Sequence, residues 1–433
     1  MFELLAKVPG EHAIEHATGV YIGLLLLACL VGILTKRIAH LPYTIALTVV
    51  GLLIAITHIG PDIEETGFSK DLIFFVMLPP LLFQGALHMD VNRLMQHFWP
   101  IFTFAVLGVV LSTVIVGGVF YWVGGIGSLL IAMLFGALIT PTDPVSVLSL
   151  FRECHVPDDL KYLVEGESLF NDGTGVVVFT IILGMILEGG GFNAEAAGFE
   201  FLKVSAGGLL LGAILGGITF AVLRRIEDHL LENAICLVLA YGSFWLAEVA
   251  HVSGVIATVI SGLLIGNYGR RFSMAQKTRE TVETFFESID FLINSLLFIL
   301  IGLELQAISL EQFTGKLRPI GAAILGLLVA RAVVVYSLYW ILNLKGTKRP
   351  PNWAHVLFWG GLRGSIPIAL LLGLPTTTAA GDPVPLLEQY RPLLLVAGFA
   401  TVFFSLVFQG VTMKPLLDWL KIGGTPEPKP ASH

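Results

Sequence analysis

The sequence predicts an all-α integral membrane protein of about thirteen transmembrane helices, built as two inverted-topology repeats. Three observations carry that prediction. Apolar runs of ~17–25 residues recur along the chain, the length a helix needs to cross a bilayer, rather than the ~10-residue alternation of a membrane barrel. Charged residues are 13% of the 433 positions and hydrophobic ones 55%, with mean hydropathy +0.84, whereas a soluble chain carries roughly 25% charge. Two runs, the fifth and the twelfth, are interrupted by Pro and Gly beside charges, at corresponding places in the two halves.

In chain order, spans one (18–36) and two (42–59) are uninterrupted apolar runs separated by Lys36 and Arg37. Span three (70–88) contains Leu78-Pro79-Pro80-Leu81-Leu82-Phe83, and span four (98–124) is apolar throughout. Span five (126–151) contains Thr140-Pro141-Thr142-Asp143-Pro144. Its two prolines remove two backbone donors and push the residues before them out of helical geometry. Span six (160–187) contains Glu167-Ser168-Leu169-Phe170-Asn171-Asp172-Gly173-Thr174-Gly175, which runs directly into an apolar stretch. Spans seven (200–223), eight (232–249), nine (252–268) and ten (283–305) are further predominantly apolar segments. Span eleven (317–343) carries Arg331 inside Leu-Leu-Val-Ala-Arg-Ala-Val-Val-Val-Tyr, a stretch where nothing else is charged. Span twelve (353–373) is broken by Gly360-Gly361-Leu362-Arg363-Gly364-Ser365-Ile366-Pro367, and span thirteen (389–420) ends in an interfacial piece. Residues 1–420 thus form one membrane body, and 421–433 a Pro-rich, polar, disordered tail.

The basic residues set the orientation. With the N-terminus outside, seventeen of the twenty-five Lys and Arg fall in inside segments and six in outside segments, leaving Arg331 and Arg363 within spans. That asymmetry places the protein as a multi-pass cell-membrane protein with an outside N-terminus and a cytoplasmic C-terminus. The charged stretch from Arg270 to Glu283 reads as an anchor to anionic lipid headgroups. The N-terminus lacks the charged start and cleavage site of a signal peptide. Three cysteines with no metal or disulfide spacing, no zinc-hydrolase motif and no nucleophile with a base argue against an embedded enzyme. Neither a cofactor nor a nucleic-acid partner is expected.

Ionisable groups at membrane depth are costly, so their default reading is an ion or proton pathway. Glu167 and Asn171 are four apart, as are Ser168 and Asp172, which puts these polar groups on adjoining stripes of one helix. Backbone groups freed at the two breaks must be satisfied by protein, water or ions, because lipid offers nothing. Asp143 and Arg363, at the breaks made by Pro141, Pro144 and Pro367, are suited to balance exposed half-helix dipole ends. A channel would use the same ingredients.

Together these residues resemble the monovalent cation/proton antiporters, specifically the branch with the NhaP-type prokaryotic antiporters and the animal NHE exchangers. The likeness spans roughly residues 18–420. It is carried by Leu78–Phe83, Thr142-Asp143-Pro144, Glu167-Ser168 with Asn171-Asp172-Gly173, Arg331, and Gly361-Leu362-Arg363-Gly364. The resemblance implies a homodimer with a core domain (spans three to six and ten to thirteen) and an interface domain from the remaining spans. It implies that the discontinuous fifth and twelfth helices cross, that transport is elevator-like, and that Asp172 binds the ion and the proton. A buried carboxylate resists ionisation and can be neutralised by H⁺ or by a hard cation that prefers oxygen ligands, but not by both at once. Competition then couples Na⁺ and H⁺, since the bare charge crosses poorly. Ser168 Oγ, one turn before Asp172, and the Thr142 hydroxyl would complete an Na⁺ site, with Asp143 beside it. Asn171 cannot ionise, so a site with one charge implies electroneutral one-for-one exchange. The family pattern pairs Glu167 with Arg331 as a structural salt bridge. One departure is Gln84, where family members often carry an acid. Li⁺ is an expected co-substrate, and K⁺/H⁺ exchange and a cation channel are the alternatives.

Overall fold

The computed structural model describes residues 11–37, 42–57, 69, 71–189, 193–226, 228–269, 276–304, 315–344, 349–378 and 381–423. They are helical almost throughout. We label α1 (Glu11–Arg37), α2 (Tyr43–Thr57), α3 (Leu72–His88), α4 (Val91–Gln96), α5 (Phe98–Trp122), α6 (Leu129–Ile139), α7 (Val145–Glu153) and α8 (Asp158–Leu187). There follow α9 (Ala194–Leu223), α10 (His229–Val249), α11 (Gly254–Gly269), α12 (Gln276–Leu303), α13 (Leu317–Leu344), α14 (Trp353–Trp359), α15 (Ser365–Leu372) and α16 (Pro385–Leu420). Among the described residues the extended pairing is confined to a bridge between Thr377 and Pro383.

A helix lies on each of the thirteen segments marked in the sequence. Among the described residues, eight are long and apolar enough to cross a membrane: α1, α5, α8, α9, α10, α12, α13 and α16. α2, α3, α6 and α11 are apolar but shorter. Segments five and twelve are each two short helices with an irregular link: α6 and α7 around 140–144, α14 and α15 around 360–364. The tail lies outside the described residues from 424 onward, as does 270–275 of the proposed headgroup anchor.

Proline shapes α3 in a way the pattern alone does not show. Its first turns, Leu72–Met77, are π-helical and run into Pro79-Pro80. Pro80 has no N–H to offer the carbonyl of Val76; the Tyr241 hydroxyl of α10 donates to that carbonyl instead, at 2.9 Å. Packing elsewhere follows the membrane rule that small residues let helices approach. α2 lies along α12, α9 and α3 along α11, and α5 against α6 and α13. At the α2–α12 crossing a Cβ on Gly51 would stand 2.2 Å from the Ile299 carbonyl, and one on Gly302 2.3 Å from that of Thr48. Only glycine fits on either side.

A crossing of two broken helices

The two irregular links meet in the interior. The backbone N–H of Asp143 donates to the Leu362 carbonyl at 2.8 Å, joining one break directly to the other. Gly364 allows the contact: a Cβ there would lie 2.5 Å from that of Asp143.

Each break leaves a half-helix C-terminus with unserved carbonyls, and an arginine covers each. Pro144 cannot donate to the Thr140 carbonyl. Arg363 Nη1, from the other break, donates to it and to the Pro141 carbonyl, the latter at 3.1 Å. Its own backbone N–H is held by Ser405 Oγ of α16 at 2.9 Å. Arg331, from α13, serves the end of α14: its Nε and Nη2 donate to the Leu357 carbonyl at 3.1 and 2.8 Å. The same guanidinium grips Glu167 of α8, with Nη1 donating to Oε1 and Nη2 to Oε2, the latter at 3.1 Å. Glu167 is 2% exposed and Arg331 9%, so this is a buried, two-pronged ion pair.

The N-terminal half-helix ends are served by Asp143. Its Oδ1 accepts from Val145 N at 3.3 Å and its Oδ2 from Ser146 Oγ at 3.4 Å, at the start of α7. Its side chain also lies against Gly364, where α15 begins. A negative charge at two helix N-termini, with positive charges at two C-termini, matches the sign of the backbone dipoles.

Thr142 is tied to α8. Its N–H donates to Asn171 Oδ1 at 3.1 Å, Asn171 Nδ2 donates to Thr142 Oγ1 at 2.6 Å, and Thr142 Oγ1 pairs with Ser168 Oγ at 2.9 Å. Asn171 is therefore a bracket that holds the break to α8, with both side-chain polar atoms used. Ser168 stands behind Thr142 and outside the cavity wall.

In front of this bracket lies a cavity of about 450 Å³. Its floor is Asp172 with the break residues Pro141, Thr142, Asp143, Pro144, Gly364 and Pro367; Gln84 of α3 forms part of its side. The Asp172 carboxylate forms no hydrogen bond or ion pair with any described residue, and Asp143 lines the same chamber. The mouth lies where Arg152 of α7 and Glu287 of α12 reach solvent. Glu165 and His88 also line the wall. The structure thus brings Asp172, Asp143, Thr142 and Gln84 into one chamber and leaves Ser168, Asn171, Glu167, Arg331 and Arg363 in its supporting shell.

The sequence reading placed α12 but missed its polar cavity face. Asp290 and Asn294 both face the cavity, and Asn294 Nδ2 donates to Asp290 Oδ1 at 2.9 Å. The available signal was their four-residue spacing inside Phe-Leu-Ile-Asn-Ser-Leu-Leu-Phe and the residue preceding it.

Comparisons with known proteins bear on the family and the fold. The family model for the transmembrane sodium/hydrogen exchanger matches residues 25–419. The Na⁺/H⁺ antiporter NhaP of Pseudomonas aeruginosa is 37% identical over 379 residues, 86% of each chain. NhaH of Halobacillus dabanensis, also a Na⁺/H⁺ antiporter, is 36% identical over 92% of this chain and 96% of its own. Among solved structures, the sodium proton antiporter MjNhaP1 of Methanocaldococcus jannaschii superposes with a TM-score of 0.77 at 21% identity, over 94% of this chain and 99% of that one. That last likeness speaks for the fold alone.

Proposed function

The chain belongs to the sodium/hydrogen exchanger family, and on that footing we propose that it is a secondary antiporter in which Na⁺ and H⁺ take turns on Asp172. The observation that carries this reading is a carboxylate with no hydrogen-bond or ion-pair partner among the described residues, at the floor of a solvent-connected chamber where two broken helices cross. Every other charge at the crossing already has a task. Asp143 caps α7, Arg363 covers α6, and Glu167 and Arg331 neutralise each other. Among the described charges at the crossing itself, Asp172 is the one left to exchange one bound cation for another.

A proton or an alkali cation neutralises Asp172, and the neutral site crosses more readily than the charged one. Cation ligands beyond Asp172 would come from the Thr142 hydroxyl, released from Ser168, and from the Gln84 amide oxygen; Asp143 lends charge. Asn171, fully engaged with Thr142 and unable to ionise, leaves one exchangeable charge, which supports electroneutral one-for-one exchange. The helices divide into a core carrying the crossing and an interface domain suited to a homodimer, with elevator-like movement between them. The positive-inside asymmetry supports a cytoplasmic C-terminus and a cavity open to the cytoplasm. Li⁺ fits the same oxygen set, and K⁺ is the competing cargo.

The test is dequenching of a pH dye in proteoliposomes on addition of Na⁺, Li⁺ or K⁺, with and without a clamped membrane potential. The expected result is a response to Na⁺ that is indifferent to voltage. A response to K⁺ alone would reassign the cargo, and current carried without proton movement would make the protein a channel.

A further inference from the structure

The chamber wall contains five carboxylates: Asp143, Glu165, Asp172, Glu287 and Asp290. Their availability differs. Asp143 has both oxygens engaged at the start of α7. Glu287 is at the mouth, 61% exposed, and faces His88 Nε2 at 3.6 Å. Glu165 lies under the influence of His88 and Arg152. Asp290 is different. It is half-buried on α12, and Asn294, itself 7% exposed, holds only its Oδ1. Its second oxygen has no described partner. Asp290, Asp143 and Asp172 line one chamber, which Arg152 also lines at its mouth. Asp290 and Asp172 therefore face the same enclosed volume.

We propose that Asp290, fixed by Asn294, is a second cation-binding carboxylate: an outer docking site where a partly hydrated monovalent cation halts before passing to Asp172. The proposal rests on the reading of Asp172 as the transport site. It also gives a physical reason why Gln84 suffices on α3. The charge that an acid there would supply comes from α12 on the same wall. A carboxylate with one fixed and one free oxygen suits a hard cation that keeps part of its water. An acidic approach lined by protein raises the local cation concentration more than the same charges would in open water. Such a site speeds and strengthens loading but is not needed for the crossing step.

The experiment is the Na⁺ dependence of exchange in proteoliposomes for wild type, Asp290→Asn, Asp290→Glu and Asp172→Asn. Detergent melting of each protein reports its folding. Asp290→Asn is expected to raise the apparent KM for Na⁺ on the order of tenfold, the scale of one charge felt across a partly wet cavity, with the maximal rate and the melting temperature unchanged. Asp290→Glu should recover most of the affinity. An unchanged KM in Asp290→Asn beside a silent Asp172→Asn would overturn the docking site alone. So would complete loss of exchange in a folded Asp290→Asn protein, because Asp290 would then act in the transport step itself. Continued exchange by Asp172→Asn would overturn the primary site and this proposal with it.

Discussion

Glu167→Ala tests whether the buried ion pair holds the crossing together or takes part in transport. The glutamate is 2% exposed and receives two donors from Arg331. Removing it leaves a guanidinium buried without its counter-charge, a loss that typically costs ~3–5 kcal/mol. Arg331 keeps its two bonds to the Leu357 carbonyl, which argues for the lower half of that range. Unfolding entropy of about 2 cal/mol/K per residue, over 433 residues, converts that lower half, about 3–4 kcal/mol, to a fall of about 3–5 °C in detergent melting temperature. The assay is a fluorescence melt of purified wild type, Glu167→Ala, Glu167→Leu, Arg331→Met and the double variant Glu167→Leu with Arg331→Met. The double variant removes both charges and leaves only the Leu357 carbonyl orphaned, a cost of about 1–3 kcal/mol. It should therefore melt above Glu167→Ala, a strongly non-additive cycle. A Glu167→Ala protein that melts and expresses like wild type while losing cation affinity would refute the structural role.

Three further outcomes follow from the same geometry. Thr142→Val strips the acceptor from Asn171 Nδ2 and the partner from Ser168 Oγ; it should cost about 1–3 kcal/mol of stability and raise the apparent KM for Na⁺, read by melting and dye dequenching. Gly51→Ala drives a Cβ to within 2.2 Å of the Ile299 carbonyl, so α2 and α12 must part and the yield of folded protein should drop sharply on size-exclusion chromatography. If H⁺ and Na⁺ compete for one carboxylate, protonation removes Na⁺ sites. The apparent KM for Na⁺ should then rise as pH falls, by about tenfold per unit below the carboxyl's own pKa, and flatten above it; a pH-independent KM would exclude competition.

Much of this architecture can be read from the chain because membrane physics leaves few choices. A helix sits on each apolar run, and both breaks fall where Pro and Gly interrupt those runs. The lone Arg331 did need a partner, and it has Glu167. What the sequence hid is which polar atoms face the cavity. Ser168 and Asp172 share a helical stripe, yet Ser168 is turned to Thr142 while Asp172 meets the open chamber. Asn171 reads as a neutral member of the site, and only the three-dimensional contact with Thr142 makes it a bracket. The cavity face of α12 was passed over because the helix's first half, rich in Glu, Thr and Ser, looks like any solvated helix end. That face emerges only once α3 and α7 are set beside it. The arginine over each half-helix C-terminus is likewise a long-range fact: Arg363 is 222 residues from the Pro141 carbonyl it serves.

The most direct test of alternating occupancy is Asp172→Asn in the proteoliposome exchange assay, with the melting temperature recorded on the same preparation. The side chain keeps its size and loses only its ability to ionise. Because it has no described hydrogen-bond or ion-pair partner, the fold should tolerate the change. The account predicts a protein that melts like wild type and moves neither Na⁺ nor H⁺ at any pH. Sodium-driven proton movement by that variant, at any appreciable fraction of the wild-type rate, would contradict it.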